Sequence, residues 1–158
     1  PLEHYWAFAE PRFAISGNRR ITRDVVEQVY HRFYGVTANI QRIMNLLYMR
    51  TPAHETCTVD MIDEAISTYL QMSSEAYATL LRQMPEKQRN VLLAIAAEGR
   101  VKNISGGKFV HKYRLPSTSS VVSAVKGLLE KDFITQEDSE YFIYDHFFQL
   151  WLEKERMI

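Results

Sequence analysis

Apolar residues recur at three- and four-residue intervals through the first half of the chain, the spacing of amphipathic helices. Thr22 is placed to cap one helix, with Ile21 and Val26 stapling its entry and Val26, Val29, Tyr30 and Phe33 on one face. Gly35 suits the left-handed residue that closes it. A second helix opens at Thr37, carries Ile40, Ile43, Met44 and Leu47, and stops at Thr51-Pro52. A third bears Val59, Ile62, Ile66, Tyr69 and Leu70, and a fourth bears Tyr77, Leu80, Leu81 and Met84. Four amphipathic helices with short joints predict a small bundle.

The rhythm changes after Met84-Pro85. A helix from Pro85 to Glu98 turns Val91, Leu92 and Ile95 inward and closes on Gly99, and a short helix follows around residues 107–113. Leu115-Pro116 makes a sharp turn, after which Ser117 caps a longer helix with Val121, Val122, Val125, Leu128 and Leu129 along one side. Residues 133–136 and 141–144, joined by the polar Glu137-Asp138-Ser139, read as a β-hairpin. A final helix bears Phe147, Phe148, Leu150, Trp151 and Leu152, whose simplest use is core packing. Three helices and then a hairpin give the order of a winged helix-turn-helix, with the helix from Ser117 as its recognition element. The expected fold is mainly α: a four-helix bundle, then a winged helix-turn-helix with a small β-hairpin wing.

Charge divides the chain at the same place. Residues 1–83 hold eight Arg, no Lys and nine acids, whereas residues 84–158 hold seven Lys, four Arg and ten acids. A domain boundary is therefore expected near Met84-Pro85, giving regions 1–83 and 84–158. The formal net charge of zero argues against a histone-like coating of nucleic acid. A single Cys excludes an internal disulfide, and no apolar run is long enough for a transmembrane helix. A reducing, cytoplasmic setting with no membrane partner is expected. A start at Pro1 without Met suggests a fragment.

The winged half resembles the C-terminal winged-helix domain of archaeal-type AAA+/STAND P-loop ATPases. The resemblance lies in Leu92–Gly99, Lys112–Ser117, Val121–Leu129, Glu130–Ile134, Tyr141–Asp145 and Phe148–Leu152. Upstream, Tyr30 through Leu47, with Gly35 and Ile40-Gln41, is similar to the helical lid that follows the nucleotide-binding core in that family. The resemblance implies a parent ATPase whose ATP and Mg²⁺ belong to a core outside these residues, with no cofactor in this chain. Its implied partners are that missing core and a protein or duplex DNA on the winged helix. No Walker A loop is present, since Gly107-Lys108 has Lys102 five residues earlier and Phe109 after it. The family's nucleotide-sensing Arg, three residues after the lid glycine, is replaced by Ala38. Arg42, one turn further on the same face, is the one cofactor-binding candidate, against a plain solvated arginine.

Nothing else reads as catalytic, and the chain is expected to be no enzyme. His54 and Cys57 have a ligand-like spacing but no second pair to complete a metal site. Ser105, His111 and Asp145 lack a nucleophile elbow. Asp60, Asp63 and Glu64 suit a helix start. The one functional charge pattern runs from Gly99 to Leu115, where Arg100, Lys102, Lys108, Lys112 and Arg114 occur with His111 and no acid. The recognition helix adds Ser117, Thr118, Ser119, Ser123 and Lys126, hydroxyls and a cation suited to phosphate or partner contact. Against DNA reading, that helix lacks Arg, Asn and Gln, and the wing tip carries Glu137, Asp138 and Glu140. The expected function is a non-catalytic C-terminal part of an AAA+/STAND-like ATPase. In it a lid couples nucleotide state to a winged-helix interaction module, with weak, electrostatic duplex binding as the alternative.

Overall fold

The structure, a computed structural model, describes residues 1–155. It comprises two compact units, Pro1–Met72 and Ser73–Ile158.

The first unit contains α1 (Leu2–Ile15), α2 (Arg23–Arg32), α3 (Thr37–Arg50) and the opening turns of α4 (Asp60–Gln83). Two-residue strands β1 (Arg20–Ile21) and β2 (Thr56–Cys57) pair in parallel, Ile21 opposite Cys57. Helices α2 and α3 lie where the apolar periodicity puts them. Their inward residues Val26, Val29, Phe33, Ile40, Ile43 and Leu47 form the buried core with Phe13 and Ile62. Gly35 closes α2 at φ +72°, its N–H donating to the Tyr30 carbonyl at 3.0 Å, and a Cβ there would meet the Tyr30 ring at 3.2 Å.

Two differences from the periodic reading have local causes. Helix α1 is an additional element, and it buries only Ala9 and Phe13. Its run Trp6-Ala7-Phe8-Ala9 is apolar on every side and Pro11 lies inside it, so no single stripe announces it. The expected third and fourth helices are one continuous α4. Serine is tolerated within a helix, and Ser73 and Ser74 continue it between the two apolar sets. Here the Ser74 hydroxyl accepts the Trp151 indole N–H at 3.0 Å.

The second unit takes the remainder of α4, then α5 (Glu86–Glu98), α6 (Gly107–Lys112), α7 (Thr118–Glu130), β3 (Ile134–Glu137), β4 (Glu140–Ile143) and α8 (His146–Lys154). Its core joins Val91, Leu92 and Ile95 of α5, Val121, Val125 and Leu128 of α7, and Phe147, Phe148, Trp151 and Leu152 of α8. Tyr77 of α4 stacks on Phe148 with centroids 5.0 Å apart and donates to the Asp145 carboxylate at 3.1 Å. Asp145 also caps α8 by accepting the Phe147 N–H at 2.9 Å. These contacts place the unit's start inside α4, ahead of the change from Arg to Lys at Met84-Pro85.

Strands β3 and β4 are antiparallel, with Ile134 opposite Ile143 and Glu137 opposite Glu140. Asp138 and Ser139 turn the hairpin with φ of 48° and 65°, the two left-handed residues of a primed turn. On the other edge of β4, Val101 and Tyr141 exchange two backbone hydrogen bonds of 2.9 Å. The wing is therefore tied to the segment between α5 and α6. The helix-turn-helix and its wing form one mainly helical fold with a small hairpin, the architecture that the order of apolar segments predicts.

Candidate functional site

The surface that the sequence singles out is built by the α5–α6 segment, α6, the start of α7 and the wing. Ser117 begins α7: its extended backbone frees the side chain to accept the Ser120 N–H at 3.2 Å. Ser119 is hydrogen-bonded to Ser117 at 3.1 Å, and Thr118 reaches the Ser105 carbonyl at 3.5 Å. Thr118, Ser119, Val122, Ser123 and Lys126 are all exposed. They lie at spacings of three, four and eight residues, so they form one outward face of α7. Val122 is half exposed within it. Lys126 lies 4.0 Å from Glu130, one turn along.

The tight α6–α7 turn comes from Arg114, held at φ +51°, followed by Pro116. A left-handed arginine reverses the chain at once, and its N–H is satisfied by the His111 carbonyl at 3.1 Å. Gly127 faces α5, where an added Cβ would meet the end of the flexible Gln88 side chain at 2.4 Å.

Although residues 99–115 contain no acid, folding brings two carboxylates to them. Lys112 contacts Glu98, the last residue of α5, at 2.5 Å, and Tyr113 donates to the same oxygen at 2.9 Å. The lysine, tyrosine and nearby Lys108 hold the Glu98 carboxyl below its ordinary range. Lys112 is raised in return by its bond to Glu98, while desolvation and its own bond to Glu98 raise Tyr113. Arg100 lies 3.2 Å from Glu140 and 4.1 Å over the Phe142 ring, and Lys102 lies 3.7 Å from Glu140. Among the described residues, Lys108 and Arg114 have no carboxylate within ion-pair reach. Three of the five cations are thus matched by Glu98 and Glu140. The sequence concealed this because Glu98 stands just outside the acid-free stretch and Glu140 reads as a wing-tip acid. Only the Val101–Tyr141 bridge shows that it faces Arg100 and Lys102.

The other candidates take structural places. Arg42 is exposed, its guanidinium 5.6 Å over the Tyr69 ring. Gly107 and Lys108 open the six-residue α6 and make no phosphate loop. His54 is exposed at φ +66°, while Cys57 is fully buried in β2, where burial pushes its thiol up and keeps it protonated. Asp63 pairs with Arg32, and Glu64 pairs with Arg50 at 2.8 Å, so these acids join helices as well as complementing the start of α4. Among the described residues, no three His, Cys, Asp or Glu side chains converge as a metal site would require, and no helix is long and apolar enough to cross a membrane.

A cleft of about 670 Å³ lies between α1 and α3 in the first unit, walled by Tyr5, Phe8, Phe13, Met44 and Tyr48. Nothing in the periodic pattern signalled it, because α1 has no apolar stripe of its own.

No curated protein and no solved structure matches the chain. A family model described as "Probable winged helix domain" matches residues 75–154, just over half of the chain. The match opens on the part of α4 that carries Tyr77 and runs to the end of α8, the span over which α5, α6, α7 and the hairpin form one core. By that match the chain belongs to the probable winged helix domain family.

Proposed function

We propose that the chain is a non-catalytic interaction module whose winged helix contacts protein through the outward face of α7. In this reading the first unit is the lid-type helical part of an AAA+/STAND-like ATPase, as the resemblance around Tyr30–Leu47 implies, and the partner is the ATPase core or a protein it acts on. ATP and Mg²⁺ would be held by that core: this chain has no phosphate-binding loop, and Arg42 lies over Tyr69. The lid would change position with nucleotide state, and the winged helix would carry the change to the partner by exposing or covering α7.

The observation that carries the reading is the character of the α7 face. It presents Thr118, Ser119, Val122 and Ser123, small and uncharged around one exposed aliphatic side chain, with Lys126 as its cation. A duplex reader needs arginine or an amide to form paired hydrogen bonds with base edges, and α7 has none. An interface core between proteins is instead depleted of charge. The test uses the full-length ATPase. Deleting residues 73–158 and, separately, substituting Val122→Glu should both change its turnover and nucleotide affinity. Kinetics identical to the parent in both variants would sink the proposal. Duplex DNA remains the alternative occupant, favoured by Lys108, Arg114 and the hydroxyl-rich start of α7. Tight, salt-sensitive duplex binding by the intact chain would select it.

A further inference from the structure

We propose that Glu98 and Glu140 are a built-in charge mask that prevents the basic α5–α6 segment from holding a nucleic-acid backbone. The proposal deepens the protein-contact reading and rests on it.

Val101 bridges Tyr141 in antiparallel sense. Side chains alternate across an extended strand, so Arg100 and Lys102 share the face opposite Val101, and Glu140 and Phe142 share the face opposite Tyr141. The antiparallel sense then sets Arg100 against Phe142 and Lys102 against Glu140. That is the arrangement found: Arg100 lies 4.1 Å over Phe142 and also 3.2 Å from Glu140, with Lys102 3.7 Å away. The backbone of the wing thus delivers one carboxylate to two cations. The second carboxylate, Glu98, is fixed by the end of α5, where Gly99 at φ +78° turns the chain away. It meets Lys112 at 2.5 Å and accepts from Tyr113 at 2.9 Å, so it is held on two sides.

Stability gives little reason for these pairs. The side chains of Arg100, Lys102 and Lys112 are 47%, 79% and 57% exposed, and ion pairs so open to water contribute little to folding. Their effect on an approaching polyanion is larger. Phosphate binding is driven by cations that replace condensed counterions, each neutralised phosphate adding about −0.9 to the slope of log affinity against log salt. A lysine already facing a carboxylate releases little, and the carboxylate itself repels the backbone. With the mask in place two cations, Lys108 and Arg114, remain without a carboxylate partner. Without it there are five.

The test compares the intact chain with its Glu98→Gln/Glu140→Gln double variant and with a Glu86→Gln/Glu155→Gln control that alters net charge equally at exposed positions elsewhere. The probe is a random-sequence DNA duplex, read by fluorescence anisotropy over a salt series. The proposal predicts no binding tighter than about 100 µM for the intact chain and the control. For the double variant it predicts at least ~10-fold tighter binding at low salt, with a slope approaching about −4. Glu98→Gln alone, which leaves the wing untouched, should give part of the gain, so the proposal stays testable if Glu140→Gln unfolds the hairpin. Failure of both Glu98→Gln and the double variant to bind would overturn the mask and leave the protein-contact reading standing. An equal gain in the control would overturn it in favour of net charge. Strong, steeply salt-dependent binding by the intact chain would overturn both the mask and the reading beneath it.

Discussion

The two compact units draw on different cations. In the first, every cationic side chain is an arginine, and each has a partner. Arg23 pairs with Glu3, Arg32 with Asp63 and Arg50 with Glu64, while Arg12, Arg19 and Arg42 lie over Phe8, Tyr48 and Tyr69. Arg20 reaches the Thr56 hydroxyl across the β1–β2 pair at 3.1 Å. In the second unit lysines outnumber arginines, and beside the paired Lys102, Lys112 and Lys126, Lys108 has no carboxylate partner among the described residues. The difference follows from the side chains. A guanidinium offers five donors in a flat fork that stacks on rings and bridges carbonyls, whereas an ammonium is a compact, hydrated charge on a flexible stem. Arginine joins helices in the first unit; in the second, lysines meet surface carboxylates, as Lys102 and Lys112 do, or stay hydrated, as Lys108 does.

The largest effect should come from the core that sets the second unit apart. Phe147→Ala removes a fully buried ring from α8 and should cost about 3–5 kcal/mol. Urea unfolding followed by Trp151 fluorescence in a Trp6→Phe background reads that unit alone, since Trp6 and Trp151 are the only tryptophans and lie one in each unit.

The contrast between arginine and lysine is tested by exchanging them. Arg19 donates from Nε to the Thr51 carbonyl at 2.6 Å and from Nη1 to the Ser16 carbonyl at 2.5 Å, while stacking on Tyr48. Lysine cannot make both bonds and the stack, so Arg19→Lys should destabilise by about 1–2 kcal/mol. Lys108→Arg, with no partner to gain or lose, should stay within about 0.5 kcal/mol of the parent by the same urea titration.

Ser117→Ala deletes the α7 cap and should cost about 1 kcal/mol, with Ser117→Asp restoring most of it; paired thermal melts measure both.

A smaller effect concerns pH. Burial lowers His146 from its ordinary 6.5, against the raising influence of Glu153 and Asp145. The unfolded chain therefore binds this proton at a pH where the folded chain does not. Stability from this site is complete above about 6.5 and is lost as pH falls from there through the lower folded value. His146→Gln should flatten the melting temperature against pH over that window.

How much was legible in the sequence depended on how local each signal is. Helices α2, α3, α5 and α7 could be read because an apolar stripe coincides with a signal at one end: Gly35 after α2, Thr51-Pro52 after α3, Gly99 after α5 and the Ser117 cap before α7. The hairpin was legible for the same reason, with a polar turn between two apolar runs. Helix α1 was not, because Trp6 to Ala9 is apolar on every side and Pro11 argues against a helix. Nor was the continuity of α4, since the use of Ser74 depends on Trp151, far along the chain. The candidate surface was legible as a list of cations but not as an electrostatic object. Its carboxylates arrive through a bridge between Val101 and Tyr141 that no local pattern encodes.

On the proposed function, this winged helix presents its α7 face to protein and does not grip duplex DNA. The most direct test is the anisotropy of a labelled random duplex titrated with the unmodified chain at several salt concentrations. The account predicts affinity no better than about 100 µM even at low salt, and a slope of log affinity against log salt no steeper than about −2, from the two unmatched cations. Micromolar binding with a slope of about −4.5, the signature of all five cations engaging phosphate, would contradict it.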